Sequence, residues 1–246
     1  MIIEFYGVPG CGKSTATEII EKEYSSKKRI YSSYDIIEEI QKTKIRHYRT
    51  LKKSAPQKPT LKELIELFIY IKDKKAIFYW CKLWILLKAS FSFFVRSLEI
   101  MALYQFCEEK YKDDIIIIHH GIIQNLISFV YINPIPSIEK FSKYAANIIY
   151  KEICYIHLEI EIDNALIRLR NRKNQHGRLP KIKSDKKLLE ALYFQNGIFY
   201  YCDELLNRLE IKNKYKVDNS LDEKNLKRQL FETIKNCETT KENIMI

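Results

Sequence analysis

Met1-Ile2-Ile3-Glu4-Phe5-Tyr6-Gly7-Val8-Pro9-Gly10-Cys11-Gly12-Lys13-Ser14-Thr15 opens the chain. An apolar run meets a turn of glycine and proline, and a helical pattern then begins with Ala16, Thr17, Glu18, Ile19 and Ile20. The spacing is G-x-x-x-x-G-K-[ST], set between a strand and a helix. Gly7, Gly10 and Gly12 allow backbone torsions closed to a side chain, so successive N–H groups turn inward as a concave anion cradle. The following helix adds free N–H donors and the positive end of its dipole. Lys13 supplies a mobile cation for β and γ phosphates, and the Ser14 hydroxyl suits Mg²⁺. Pro9, Cys11 and Thr15 complete the segment expected to surround the phosphates. The chain has only 6 glycines in 246 residues, and half of them lie in this turn. The stretch therefore predicts binding of a nucleoside triphosphate.

Working outward, a length of 246 residues suits one α/β domain with an insertion. A hydrophobic share of 46% with 30% charged residues describes a globular chain with a core. Lys+Arg 42 against Asp+Glu 31 gives a net charge of +11. That balance favours phosphorylated ligands, nucleic acid or anionic membrane surfaces without choosing among them. No specific nucleic-acid motif occurs. Six cysteines are scattered with no C-x-x-C pair, which reads as reduced thiols in a cytoplasmic protein. The chain starts on its first core strand, so no cleavable signal is expected.

Beyond the first helix, Ile30 to Tyr34 is a short β-like run. Asp35 and Glu38 form a capping-box pattern before the next helix, and Asp35 also falls at the carboxyl end of the second strand, the rim that binds ligand in such sheets. Residues 41–59 form a basic connector broken by Pro56 and Pro59. Thr60 with Glu63 marks another capping box, and residues 60–111 read as unusually apolar packed helices. Lys82, Lys88, Arg96 and Glu99 interrupt them, so no run reaches the roughly 18 uncharged apolar residues of a membrane span. Ile115 to Ile118 suits a parallel strand buried on both faces and ends in His119-His120-Gly121. Helices are expected from Ile122 to Tyr131 and from Ser137 to Tyr150, and a strand from Ile153 to Ile160. Asp163 is the expected cap of a helix carrying Arg168, Arg170 and Arg172. Polar loop residues 174–180, a long helix from Asp185 to Leu209 and a short strand at Tyr215 to Val217 follow. Ser220 with Glu223 should cap a closing helix to Asn236, and 238–246 reads as a flexible tail. Strands alternating with helices predict a three-layer α/β/α fold around a five-stranded parallel sheet.

The phosphate turn at Gly7 to Thr15, the strand and turn from Ile115 to Gly121, the arginine helix Ala165 to Arg172 with Arg178 beyond it, and Val217-Asp218-Asn219-Ser220 together resemble the nucleoside/nucleotide kinase group of P-loop NTPases. Thymidylate-kinase-like members are the most similar. The resemblance implies strand order 2-3-1-4-5, a helical insertion at 60–111 between strands 2 and 3, and one kinase-like domain over 1–237. It implies that loop 173–183 is a lid closing over the phosphates. It places Asp218 near the adenine and implies an Mg²⁺-dependent transfer of the γ-phosphate of ATP to a small-molecule acceptor. Arg168 and Arg172, four apart, would share a helix face and with Arg178 stabilise the charge that spreads over equatorial oxygens.

One position departs from the pattern. The Ile115–Ile118 strand should end in an acid that serves Mg²⁺, and this chain has His119-His120. Asp113 and Asp114 lie roughly 16 Å earlier along an extended strand. Shikimate-kinase-like relatives place an acid after the second strand, which makes Asp35 the expected substitute as metal ligand alongside Ser14. Two functions follow. In the first, the chain is a kinase in which Lys13, Asp35, His119, Arg172 and Arg178 serve the transfer, and the nucleotide is held by Gly7, Pro9, Gly10, Cys11, Gly12, Lys13, Ser14, Thr15, Arg168, Arg172 and Asp218. In the second, it is a catalytically weak or silent nucleotide-binding switch or scaffold that docks a partner or membrane surface through helices 60–111. A second copy of the chain, as a homodimer, is kept among the partners.

Overall fold

The computed structural model describes residues 1–24, 28–33, 35–37, 61–132, 137–172, 179–220 and 222–244. Strands β1 (Ile2–Tyr6), β2 (Ile30–Ser32), β3 (Ile115–Ile118), β4 (Cys154–Glu159) and β5 (Lys214–Asp218) form one parallel sheet in the order β2-β3-β1-β4-β5, with helices on both sides. This is the order that the resemblance implies. The chain divides into two compact units, one of Met1–Ile2 with Lys28–Tyr150 and the other of Ile3–Lys27 with Lys151–Ile246.

In the first unit β2 pairs with β3, Ile30 beside Ile115 and Ser32 beside Ile117. All four isoleucines of β3 are buried, as a strand covered on both faces requires. The apolar insertion resolves into α2 (Leu61–Tyr70), α3 (Lys74–Leu86) and α4 (Phe91–Lys110). Asp73 caps α3 by accepting from the Ala76 N–H at 2.8 Å, and Lys88 turns the chain out of the helix at φ 47. Helix α4 is buried on nearly every side from Phe94 to Cys107, the burial expected of a core helix. Two polar ties cross this apolar packing onto α5 (Ile122–Ile132). Tyr104 Oη accepts from the Ile122 N–H at 3.1 Å, and Asn125 Nδ2 donates to Ser97 Oγ at 2.7 Å. Helix α6 (Ile138–Ala145) stops short of Tyr150, where Asn147 turns its amide back onto the Lys143 carbonyl. Among the described residues no helix is long and apolar enough to cross a membrane.

In the second unit β4 lies between β1 and β5, with Ile3 beside Cys154 and Glu159 beside Asp218. Around them stand α1 (Lys13–Tyr24), α7 (Ile162–Arg170), a short 3₁₀ turn (Leu179–Lys181), α8 (Asp185–Arg208) and α9 (Glu223–Ile244). Helices α1 and α9 meet through Tyr24 and Phe231, 5.4 Å between ring centroids, and through an ion pair of Lys227 with Glu23.

Several local expectations are corrected. Glu161, not Asp163, is the N-cap of α7. Asp222, not Ser220, caps α9 by accepting from the Asn225 N–H at 2.8 Å. Helix α9 runs on to Ile244, through the segment expected to be a loose tail. The all-thiol reading fails at one pair: Cys154 on β4 and Cys237 on α9 form a disulfide across 83 residues, while Cys11, Cys81, Cys107 and Cys202 are free. Spacing along the chain gives no sign of this pairing, because only the packing of α9 under β4 brings the two sulfurs together.

Candidate phosphate-binding site

The turn after β1 holds the backbone its glycines predict. Gly7, Gly10 and Gly12 sit at φ 144, 95 and 95. The constraint on all three is spatial as well as torsional, a Cβ on Gly10 falling 2.8 Å from the Ala165 carbonyl oxygen. A Cβ on Gly7 would lie 2.5 Å from the Leu158 carbonyl oxygen, and one on Gly12 would lie 2.1 Å from Asn219 Nδ2. The Cys11 N–H donates to the Val8 carbonyl at 3.1 Å and closes the loop. Helix α1 then rises from Lys13, with its first N–H groups at the loop. Lys13 Nζ donates to the Gly7 carbonyl at 2.7 Å, with the Val8 carbonyl and Cys11 Sγ each 3.4 Å away. The ammonium is thus held across the loop from Gly7 to Gly12.

Ser14 and Thr15 are exposed on the first turn of α1. Thr17 Oγ1 is committed to the Lys13 carbonyl at 3.0 Å, which leaves the exposed Ser14 and Thr15 as the hydroxyls of that turn. In the first unit, Asp35 is bound into a capping box with Ser32, and the expected partner Glu38 lies outside the described residues. Ser32 N and Oγ both donate to Asp35 Oδ2, at 3.0 and 2.7 Å, and the Asp35 N–H donates back to Ser32 Oγ. His119 directly follows β3 and is half-buried.

The arginine helix differs from expectation. Helix α7 ends at Arg170 with Asn171 as C-cap, a residue whose side chain competes with the backbone and disfavours helix interiors. Arg172 therefore lies beyond the helix, and the shared face with Arg168 is lost. Arg168 Nη2 donates to the Asn219 carbonyl at 3.1 Å. Arg170 is spent on structure, pairing with Asp185 at the start of α8. Arg178 lies outside the described residues. Asp218 uses Oδ1 to accept from the Ser220 N–H at 2.8 Å, a turn of the Asx type. It is the next residue, Asn219, that meets the phosphate loop, donating from Nδ2 to the Cys11 carbonyl at 2.6 Å.

A second polar cluster in this unit escapes the sequence reading. Asp203 of α8 accepts from Tyr6 Oη at 2.7 Å and pairs with His157 Nδ1 at 2.9 Å, all buried. Lys216 Nζ bridges Asp203 and Glu159 at 2.9 and 2.8 Å. Burial pushes the Asp203 carboxyl upward, but the donors from His157, Tyr6 and Lys216 outweigh it and hold the group below the usual carboxylate range. Burial and the facing Asp203 charge push the Tyr6 phenol well above its ordinary value. His157, Glu159 and Asp203 have the spacing of a metal centre, yet the Lys216 ammonium already supplies the cation between the two carboxylates. Tyr6, His157 and Lys216 stand side by side on adjacent strands, and only sheet register brings them together.

No family model matches the chain, and no curated protein matches it. Among solved structures it is similar to deoxyadenosine kinase from M. mycoides with bound dATP, at 16% identity over 96% of this chain and 99% of that one, with a TM-score of 0.47. It is also similar to shikimate kinase from Bacteroides thetaiotaomicron, at 14% identity over 97% of this chain and 98% of that one, with a TM-score of 0.43. Parallel strands in the order β2-β3-β1-β4-β5, a glycine turn after β1 and a helix rising from that turn give this chain the P-loop kinase-like fold.

Proposed function

We propose that the protein binds ATP and transfers its γ-phosphate to a small molecule, a nucleotide, nucleoside or other metabolite. The observation that carries the reading is the loop from Gly7 to Gly12, with three left-handed glycines, a helix N-terminus behind it and Lys13 held across it. An acceptor oxygen attacks the γ-phosphorus, the bond to the β–γ bridging oxygen breaks, and ADP leaves. Gly7, Pro9, Gly10, Cys11, Gly12, Ser14 and Thr15 surround the phosphates, and Lys13 neutralises charge on the β and γ groups. Ser14 and Asp35 would hold Mg²⁺, which when bound offsets charge developing on the transferred group. Arg168, Arg172 and Arg178 supply further cations, Arg178 from a lid over 173–183, with Asp218 at the nucleoside end. His119 serves the acceptor, neutral and able to orient a hydroxyl. The working unit is a kinase-like domain that includes the whole of α9, to Ile244.

The test is a metabolite panel with ATP and Mg²⁺, run on wild type and Lys13→Ala. A product that wild type forms and Lys13→Ala does not is expected. Absence of saturable, Mg²⁺-dependent ATP uptake by wild type would overturn the reading.

A second reading, a nucleotide-binding scaffold, is favoured by His119 at the place where an acid is expected and by exposed apolar side chains on α2 to α4. Ile69 is 73% exposed, Ile85 69% and Phe78 55%. It is chosen if wild type takes up ATP and phosphorylates no acceptor in the panel.

A further inference from the structure

We infer that Asn219 is a positioning residue of the phosphate loop, one that aims the Gly12 N–H at the bound phosphates. The inference rests on the ATP-binding reading above and goes beyond it, because Asn219 itself touches no nucleotide in this scheme. Three observations carry it. Asn219 is 4% exposed and anchored by its own backbone, its N–H donating to the Glu159 carbonyl at 2.9 Å and its carbonyl accepting from Arg168 at 3.1 Å. From that fixed frame its Nδ2 donates to the Cys11 carbonyl at 2.6 Å. Gly12 packs so closely on that amide that any Cβ would meet Nδ2 at 2.1 Å.

The peptide plane supplies the consequence. In a trans peptide the carbonyl and the N–H point in opposite directions. Holding the Cys11 carbonyl toward Asn219 therefore holds the Gly12 N–H of the same peptide the other way, and that N–H has no acceptor among the described residues. At φ 95 Gly12 has no side chain to limit rotation of this peptide. Without the Asn219 amide the plane is free to turn and present its carbonyl oxygen, instead of its N–H, to an anion. Because Arg168 is held by the Asn219 main-chain carbonyl, trimming the side chain leaves that contact in place. The effect is thereby confined to phosphate binding.

The experiment measures affinities of wild type, Asn219→Ala and Asn219→Asp for ATP and for inorganic tripolyphosphate, counted per folded molecule from parallel melting curves. Losing one N–H bond to a charged group predicts affinity of Asn219→Ala reduced about tenfold to a hundredfold for both ligands. Asn219→Asp adds a signature that general loosening would not give. An ionised carboxylate repels the Cys11 carbonyl, whereas its protonated form can donate to it. With the Arg168 guanidinium beside it favouring the ionised form, the Asn219→Asp deficit at neutral pH should therefore exceed that of Asn219→Ala. Wild-type affinity in folded Asn219→Ala, or an Asn219→Asp deficit smaller than that of Asn219→Ala, overturns the inference. If wild type binds neither ligand, it is the ATP-binding reading that fails.

Discussion

Gly12 is constrained from two sides, by its torsion and by a neighbour. At φ 95, with Asn219 Nδ2 where a methyl group would go, alanine is both strained and sterically blocked. Gly12→Ala is expected to abolish saturable ATP uptake and to lower stability by about 1–3 kcal/mol, read by titration and by thermal melting of the same sample. Asp203 is constrained by charge. Its carboxyl is held below the usual range, so its folded pKa is lower than its unfolded one. The stabilisation is complete above the unfolded value of about 4 and is lost as pH falls through the folded value. Asp203→Asn should cost about 2–3 kcal/mol at neutral pH, by breaking a buried hydrogen-bonded pair. It should also flatten the acid limb of the stability curve, which denaturant melts between about pH 3 and pH 7 would show. An acid limb unchanged in the variant would count against this account.

Among the elements, α9 is joined to the sheet by a covalent link as well as by packing. The Cys154–Cys237 disulfide closes a loop of 83 residues, which restricts the unfolded chain and stabilises by typically 2–4 kcal/mol. Cys237→Ser, or reduction of the wild type, should lower the melting temperature, and both should reach the same value. Alkylation of the unfolded, unreduced chain should modify the free cysteines and leave Cys154 and Cys237 unlabelled. Complete labelling would show that the pair stays reduced in solution. Helix α7 teaches a different lesson. Its end at Arg170 is set by Asn171, and that single C-cap moves Arg172 off the helix face that Arg168 occupies.

For the whole molecule, the loop from Gly7 to Gly12, α1, Arg168 and Asn219 all belong to the second unit. Binding to the native state alone stabilises by about 2.7 kcal/mol at a ligand concentration of 100 Kd. ATP should therefore raise the melting temperature, with the strongest new hydrogen-exchange protection at residues 7–17, 159–170 and 218–220. Protection confined instead to the helices of the first unit would place the nucleotide elsewhere.

The glycine turn, Lys13 and the buried strand Ile115–Ile118 could be read directly, because each depends on local chemistry: torsional freedom, a mobile cation, an unbroken apolar run. The alternation of strand and helix likewise fixed the parallel sheet, since covering both faces demands it. Where sequence reasoning stopped was wherever distant residues had to meet. Asn219 against Cys11, Tyr6 and His157 against Asp203, and Cys154 against Cys237 are separated by 208, 197, 46 and 83 residues. No periodicity encodes such pairs. They come into being only when sheet register and helix packing bring polar groups together in a dry interior, where each buried donor must find an acceptor.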